Sequence, residues 1–147
     1  MIYILFVFVL LADQITKYCA LQNITKPVFV TSFLNFILTL NKGISFSLLT
    51  FDKKSMTWLL TVVIVLITGF FIKWMWETKQ RFMKLCLSLI CAGAIGNLMD
   101  RFRFGAVVDF IDFHIGDWHW PAFNIADSAV CIGAVMLLVY SFVARER

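Results

Sequence analysis

Of 147 residues, 61% belong to the apolar set Ala, Val, Ile, Leu, Met, Phe, Trp, Tyr and Cys and only 15% are charged, against about 45–50% and about 25% for soluble domains. A bilayer-spanning helix takes about 20 mostly apolar residues, so four spans consume most of the chain and exclude a large aqueous catalytic domain. The net charge of +4, from 13 basic against 9 acidic side chains, is too small and scattered to hold nucleic acid.

The chain reads as a single integral membrane domain over 1–147. A first span is predicted over Met1–Leu21, broken by Asp13 and Lys17, whose i,i+4 spacing lets acid and base neutralise each other on one helix face. Its opening run is expected to stay attached, because no basic residue precedes it and no small-x-small cleavage site follows. An outer connection over 22–54 carries two runs of strand length, Pro27–Thr31 and Phe36–Leu40. It then reaches Asn41-Lys-Gly-Ile-Ser-Phe-Ser47, which alone reads as a hairpin loop. The second span covers about 55–76, charge-free from Ser55 to Ile72, and the third about 82–99.

Lys73, Lys79, Arg81 and Lys84 crowd the short turn between them, which favours the cytoplasmic side. Both termini then face inward. Lys17, Lys26, Lys42, Lys53, Lys54, Arg101 and Arg103 fall on the other side, so the orientation rests on short-loop density rather than a raw count. A second outer connection, 100–123, contains a strand with Val107, Asp109, Ile111, Phe113 and Ile115 on one face and Phe110, Asp112 and His114 on the other. Trp118, His119 and Trp120 suit the headgroup level. The fourth span is predicted over 124–144. Cys19, Cys86, Cys91 and Cys131 form no C-x-x-C pair and signal neither a disulfide framework nor zinc.

Acids at membrane depth point to function. Asp109 stands among apolar residues in Gly105-Ala-Val-Val-Asp-Phe110, and Asp127 opens the fourth span in Phe123-Asn-Ile-Ala-Asp-Ser128. Apolar surroundings favour a protonated carboxyl, whereas a helix N-terminus favours an anion. Two such acids brought together would share a proton and could run aspartic-protease chemistry. A helix cap and a loop acid are the bland alternative. In Gly93-Ala-Ile-Gly-Asn-Leu-Met-Asp-Arg101, Asn97 and Arg101 share a helix face and could brace carboxylates. From the residues alone, a snorkelling Arg101 at an interfacial helix end is preferred. His114 and His119 read as surface histidines beside Asp112 and Asp117. Ser45 or Ser47 with Lys17 or Lys42 forms no singled-out nucleophile and base.

Five segments in order, Asp13–Lys17, Asn41–Ser47, Gly93–Arg101, Gly105–Phe110 and Phe123–Ser128, make the chain resemble the lipoprotein signal peptidases (signal peptidase II), bacterial membrane aspartyl proteases. The resemblance implies an all-α membrane protein of four transmembrane helices with a small β-rich cradle on the outer surface. It implies both termini in the cytoplasm, and cleavage of diacylglyceryl-modified prolipoproteins just before the lipidated lipobox cysteine. Asp109 and Asp127 become the catalytic pair by motif. Asn41, Gly43, Asn97, Arg101, Asn124 and Ala126 become site or substrate-contacting positions, and Asp13 and Lys17 structural support. No metal or organic cofactor is expected; the partners are the lipid-modified substrate and membrane lipid, and the chain is expected to be monomeric. Ser45 departs from the family's usual Ala, and the N-terminal segment is shorter than usual. A small ion or proton transporter using the same acids, or a silent membrane scaffold, would also account for such a chain.

Overall fold

The computed structural model describes residues 2–43 and 54–145, leaving aside the side chains of residues 54, 56, 144 and 145. Ser45, Ser47 and Lys53, invoked above, lie outside the described residues. Four helices are long and apolar enough to cross a membrane: α1 (Ile2–Asn23), α2 (Lys54–Glu77), α3 (Arg81–Phe104) and α4 (Ile125–Arg145). Between them come the strands β1 (Val28–Phe29), β2 (Leu34–Asn41), β3 (Val107–Ile115) and β4 (Trp118–His119). The predicted spans and strands match these elements in kind and order. The two-residue β4 is the addition, too short to leave a pattern in the sequence.

Helix α3 is the axis of the bundle. More than half of its apolar span is buried, against 11–22% for the other three, and it packs on α1, α2 and α4. Small residues make this possible, because in lipid helices gain little from apolar burial and associate by close packing. A Cβ on Gly93 would collide with the Ala126 carbonyl oxygen, and one on Gly96 would lie 2.5 Å from Asp13 Oδ2. The outward faces keep exposed apolar side chains such as Ile4, Phe8, Leu66 and Phe142, as a lipid-facing surface requires. Helix α2 shows the same logic for polar groups: Thr61 and Thr68 donate to the carbonyls of Thr57 and Ile64 one turn back.

Two pairs of contacts set the direction of travel. Ser88 reaches the Ile2 carbonyl and Gln14 reaches Asp100, so α1 runs parallel to α3. Gly133 packs on Cys86, and Tyr140 bonds Gln80, so α4 runs antiparallel to it. Residue 2, the 78–80 turn and residue 145 therefore lie at one end of the bundle, and the sheet lies at the other.

The sheet is antiparallel throughout, in the order β1-β2-β3-β4. Helix α3 stops at Gly105, whose φ of 69° gives the left-handed cap that lets its N–H return to the Arg101 carbonyl at 2.9 Å. The chain then enters β3 directly. Between Phe36 and Thr39 the β2 register slips against β3, a bulge with one extra residue on β2. The slip lets two asparagines six positions apart on β2 meet acids of opposite parity on β3: Asn41 bonds Asp109 and Asn35 bonds Asp112.

The clean face alternation expected for β3 is not observed. Val107 to Phe110 are all buried, and so is Asp112. Helices α1 and α3 pack against the strand, while Asn35 and His119 each bond Asp112. His119 is exposed, its Nδ1 2.8 Å from Asp112 Oδ1, and its ring stacks on His114.

Candidate active site

The polar centre lies where α1, α3 and α4 meet the sheet. Asp109 comes from β3 and Asp127 from the first turn of α4. Both are buried, at 0% and 2% exposure, in surroundings where an ion survives only with directed partners. Asp109 is gripped through both oxygens: Asn124 Nδ2 donates to Oδ1 at 2.7 Å and Asn41 Nδ2 to Oδ2 at 2.9 Å. Asp127 Oδ1 accepts from Asn97 Nδ2 at 2.9 Å, and Asn97 Oδ1 accepts from Asn124 Nδ2 at 3.2 Å. Two carboxylates are thus joined by two amides in series.

Asn124 does more than share a helix face with Asp127. It is the N-cap of α4, its Oδ1 accepting the Asp127 N–H at 2.8 Å, the third-residue bond that an Asn cap typically supplies. One side chain therefore starts the helix carrying Asp127 and holds Asp109 in the strand. Burial first, and the negative charge of Asp127 second, push the Asp109 carboxyl up to about 7, although Asn41, Asn124 and Lys17 act in the opposite sense.

Asn41 closes a tight turn, its Oδ1 accepting from the Gly43 N–H at 2.9 Å. Gly43 is held from the other side by Arg101, whose Nη2 donates to its carbonyl at 2.9 Å while Nη1 reaches the Asn97 carbonyl at 3.4 Å. Arg101 is 4% exposed, so the snorkelling expectation is corrected. Helix α3 runs on to Phe104, five residues past the predicted end of the span, and leaves the guanidinium inside the fold within coulombic reach of Asp127, Asp109 and Asp100.

The support layer is built on Lys17. Its ammonium lies 2.9 Å from Asp13 Oδ2, 2.9 Å from Asp100 Oδ2 and 2.9 Å from Asn97 Oδ1, which uses all three of its protons. Ala126, fully buried, gives its N–H to Asp13 Oδ1. All ten residues singled out in the sequence, Asp13, Lys17, Asn41, Gly43, Asn97, Arg101, Asp109, Asn124, Ala126 and Asp127, thus converge on one network. Sequence reasoning passed over Asp100 and Gln14. Both lie inside the quoted motifs, and Asp100 is three residues from Asn97, a same-face spacing that could have exposed it. Among the described residues no group of three His, Cys, Asp or Glu side chains is placed to hold a metal ion.

A family model described as signal peptidase (SPase) II matches residues 5–143. A lipoprotein signal peptidase of Polynucleobacter necessarius is 46% identical over 136 residues, covering 90% of this chain and 83% of its own. One from Coxiella burnetii is 43% identical over 138 residues, covering 91% and 85%. A bacterial membrane enzyme structure obtained by the in meso method at 2.3 Å superposes with a TM-score of 0.78 and 34% identity, covering 96% of this chain and 87% of that one. Four lipid-facing helices, a small sheet at one end and an amide-bridged pair of buried acids come together in a chain that belongs to the signal peptidase II family of membrane peptidases.

Proposed function

We propose that this chain removes the signal peptide from diacylglyceryl-modified prolipoproteins, cutting before the lipidated cysteine with Asp109 and Asp127 as an aspartyl pair. The observation that carries the reading is the amide-bridged pair of buried carboxylates. Membership of a peptidase family sets aside the ion or proton transporter, and the silent scaffold leaves the bridged acids unexplained.

In the proposed reaction the ionised carboxylate takes a proton from water as its oxygen attacks the scissile carbonyl carbon. The protonated partner gives its proton to the carbonyl oxygen, leaving a gem-diol. Collapse of that intermediate breaks the C–N bond, and the amine that leaves is protonated from the pair. Asn124 and Asn41 orient Asp109, Asn97 orients Asp127, and Arg101 fixes the Gly43 carbonyl beside them. Within this network the buried acids Asp13, Asp100, Asp109 and Asp127 outnumber the buried cations Lys17 and Arg101, an excess of negative charge that one shared proton reduces.

The activity should follow a bell-shaped pH profile, since the pair works with a single proton. With Asp109 lifted to about 7, kcat should fall about tenfold per unit as pH rises beyond that value. A pH–rate series on purified enzyme in detergent checks it; a rate flat from about pH 6 to 9 contradicts it.

An apolar cavity of about 680 Å³ beside the site supports a lipid-bearing substrate. Phe33, Phe113, Trp118, Trp120, Cys131 and Ile132 line much of it, as does Ser128, next to Asp127. Trp118 and Trp120 are exposed near the sheet end, as aromatic residues at a headgroup boundary would be. With the basic 78–80 turn in the cytoplasm, the sheet and the acids face outward and the chain acts as a monomer. Recognition through the lipid predicts that a diacylglyceryl-modified lipobox peptide is cleaved with kcat/KM at least about tenfold above its unmodified twin. Equal values, measured side by side, would refute the lipid requirement and leave the peptidase intact.

A further inference from the structure

Two backbone N–H groups are treated alike. That of Ala126, the residue before Asp127, donates to Asp13 Oδ1 at 2.9 Å. That of Val108, the residue before Asp109, donates to Asp100 Oδ2 at 3.1 Å. The two accepting carboxylates share one cation, with Lys17 Nζ 2.9 Å from each. Gln14 Nε2 spans the same pair, at 3.1 Å from Asp13 Oδ2 and 3.3 Å from Asp100 Oδ1. The third proton of Lys17 goes to Asn97, which holds Asp127 from its other side.

Each acid has a plain local job, Asp13 on the open first turn of α4 and Asp100 on the start of β3. Neither job needs a buried ammonium. Burying an ion triad costs several kcal/mol in desolvation, and well-packed apolar side chains often do as well for stability. An apolar residue at position 17 could not, however, tie α1, α3, α4 and β3 together at a single atom.

We infer that Lys17, with Asp13 and Asp100, is a clamp that sets the spacing of the two reactive carboxylates by holding the peptide unit in front of each. The inference rests on the reading of Asp109 and Asp127 as the catalytic pair. These three side chains and Gln14 are positioning residues; they are placed behind the pair and act through it.

The Asp→Asn changes separate clamp from cap. The amide introduced in D13N or D100N keeps an oxygen for the backbone N–H and loses the charge that binds Lys17. If each acid is only a local cap, kcat stays near wild type in each variant. If the clamp is real, D13N and D100N each lower kcat by roughly 10- to 100-fold, the scale of a misplacement near 1 Å, with KM within about twofold. The double variant should then be no slower than the worse single, because either change breaks the same bridge.

The pH profile adds a readout that loss of folded protein cannot move. Asp109 is faced by Asp127 from α4, by Lys17 from α1, by Arg101 from α3 and by the neutral Asn41 and Asn124. A wider pair repels less, so the alkaline limb of kcat should shift to lower pH in Q14A, which changes no charge; in D100N the lost charge of Asp100 moves the limb the same way by itself. Multiplicative losses in the double variant with an unshifted limb in Q14A overturn the clamp. Should both Asn variants fail to fold, Q14A decides: an approximately threefold lower kcat at unchanged KM supports the clamp, and wild-type kcat refutes it. Asp109→Asn and Asp127→Asn run alongside; activity in those would defeat the catalytic reading itself, a different failure.

Discussion

Asp127→Asn yields a protein that inserts, folds and melts within a few degrees of wild type, yet cleaves the lipid-modified peptide about 10⁴-fold more slowly or worse. The substitution is nearly isosteric, and the oxygen that accepts from Asn97 Nδ2 survives as the amide oxygen. What disappears is the ability to hold or release a proton. Asp109→Asn should be equally inactive but less neutral to the fold. Its carboxylate faces two amide donors, Asn124 on one oxygen and Asn41 on the other. An amide there offers one oxygen and turns its own NH₂ toward the second donor, so one hydrogen bond becomes a clash. Cleavage rates beside thermal melts of both variants check the pair, and wild-type turnover in either ends the aspartyl mechanism.

Gly93→Ala is expected to be the most damaging single-methyl change in the bundle. The new Cβ would run into the Ala126 carbonyl oxygen and sit 2.8 Å from a Val130 methyl. The first of these is backbone and cannot rotate away, so α4 must move off α3. Overpacking of this kind costs about 1–3 kcal/mol or more. The displaced segment is the one carrying Asp127, and activity should fall by about 100-fold. Gly69→Ala is the matched control on α2, with nothing within 4 Å of the added methyl. It should melt at or slightly above wild type, because Ala exceeds Gly in helix propensity by about 1 kcal/mol. Equal melting of the two variants would show that the tight α3–α4 crossing does not limit stability.

The spans were legible because a lipid-facing helix must be apolar over its whole length, which leaves a continuous signal in the sequence. The strand β3 was legible by residue type and length, and its boundaries match the run read from Val107 to Ile115. Its burial was not, since period-two reasoning assumes one wet face, and here helices pack against the strand while Asn35 and His119 each bond Asp112. Asp109 and Asp127 could be singled out as acids in apolar company. Their amide bridge could not, because Asn41, Asn97 and Asn124 meet only through a bulge, a helix cap and a helix crossing far apart in the chain. The burial of Arg101 was not legible for a related reason: the apolar run stops at Met99, whereas the helix continues to its left-handed cap at Gly105.

Helix α4 supplies Asp127, its cap Asn124 and the backbone N–H that Asp13 accepts. A ribosome-bound chain still lacking α4 has only half of its acid pair and an unfilled cleft where that helix will dock. Under the proposed reaction such a chain has no cutting power. On that reading cutting power arrives when α4 docks, so neighbouring nascent chains in the same membrane meet either an inert fragment or a finished enzyme.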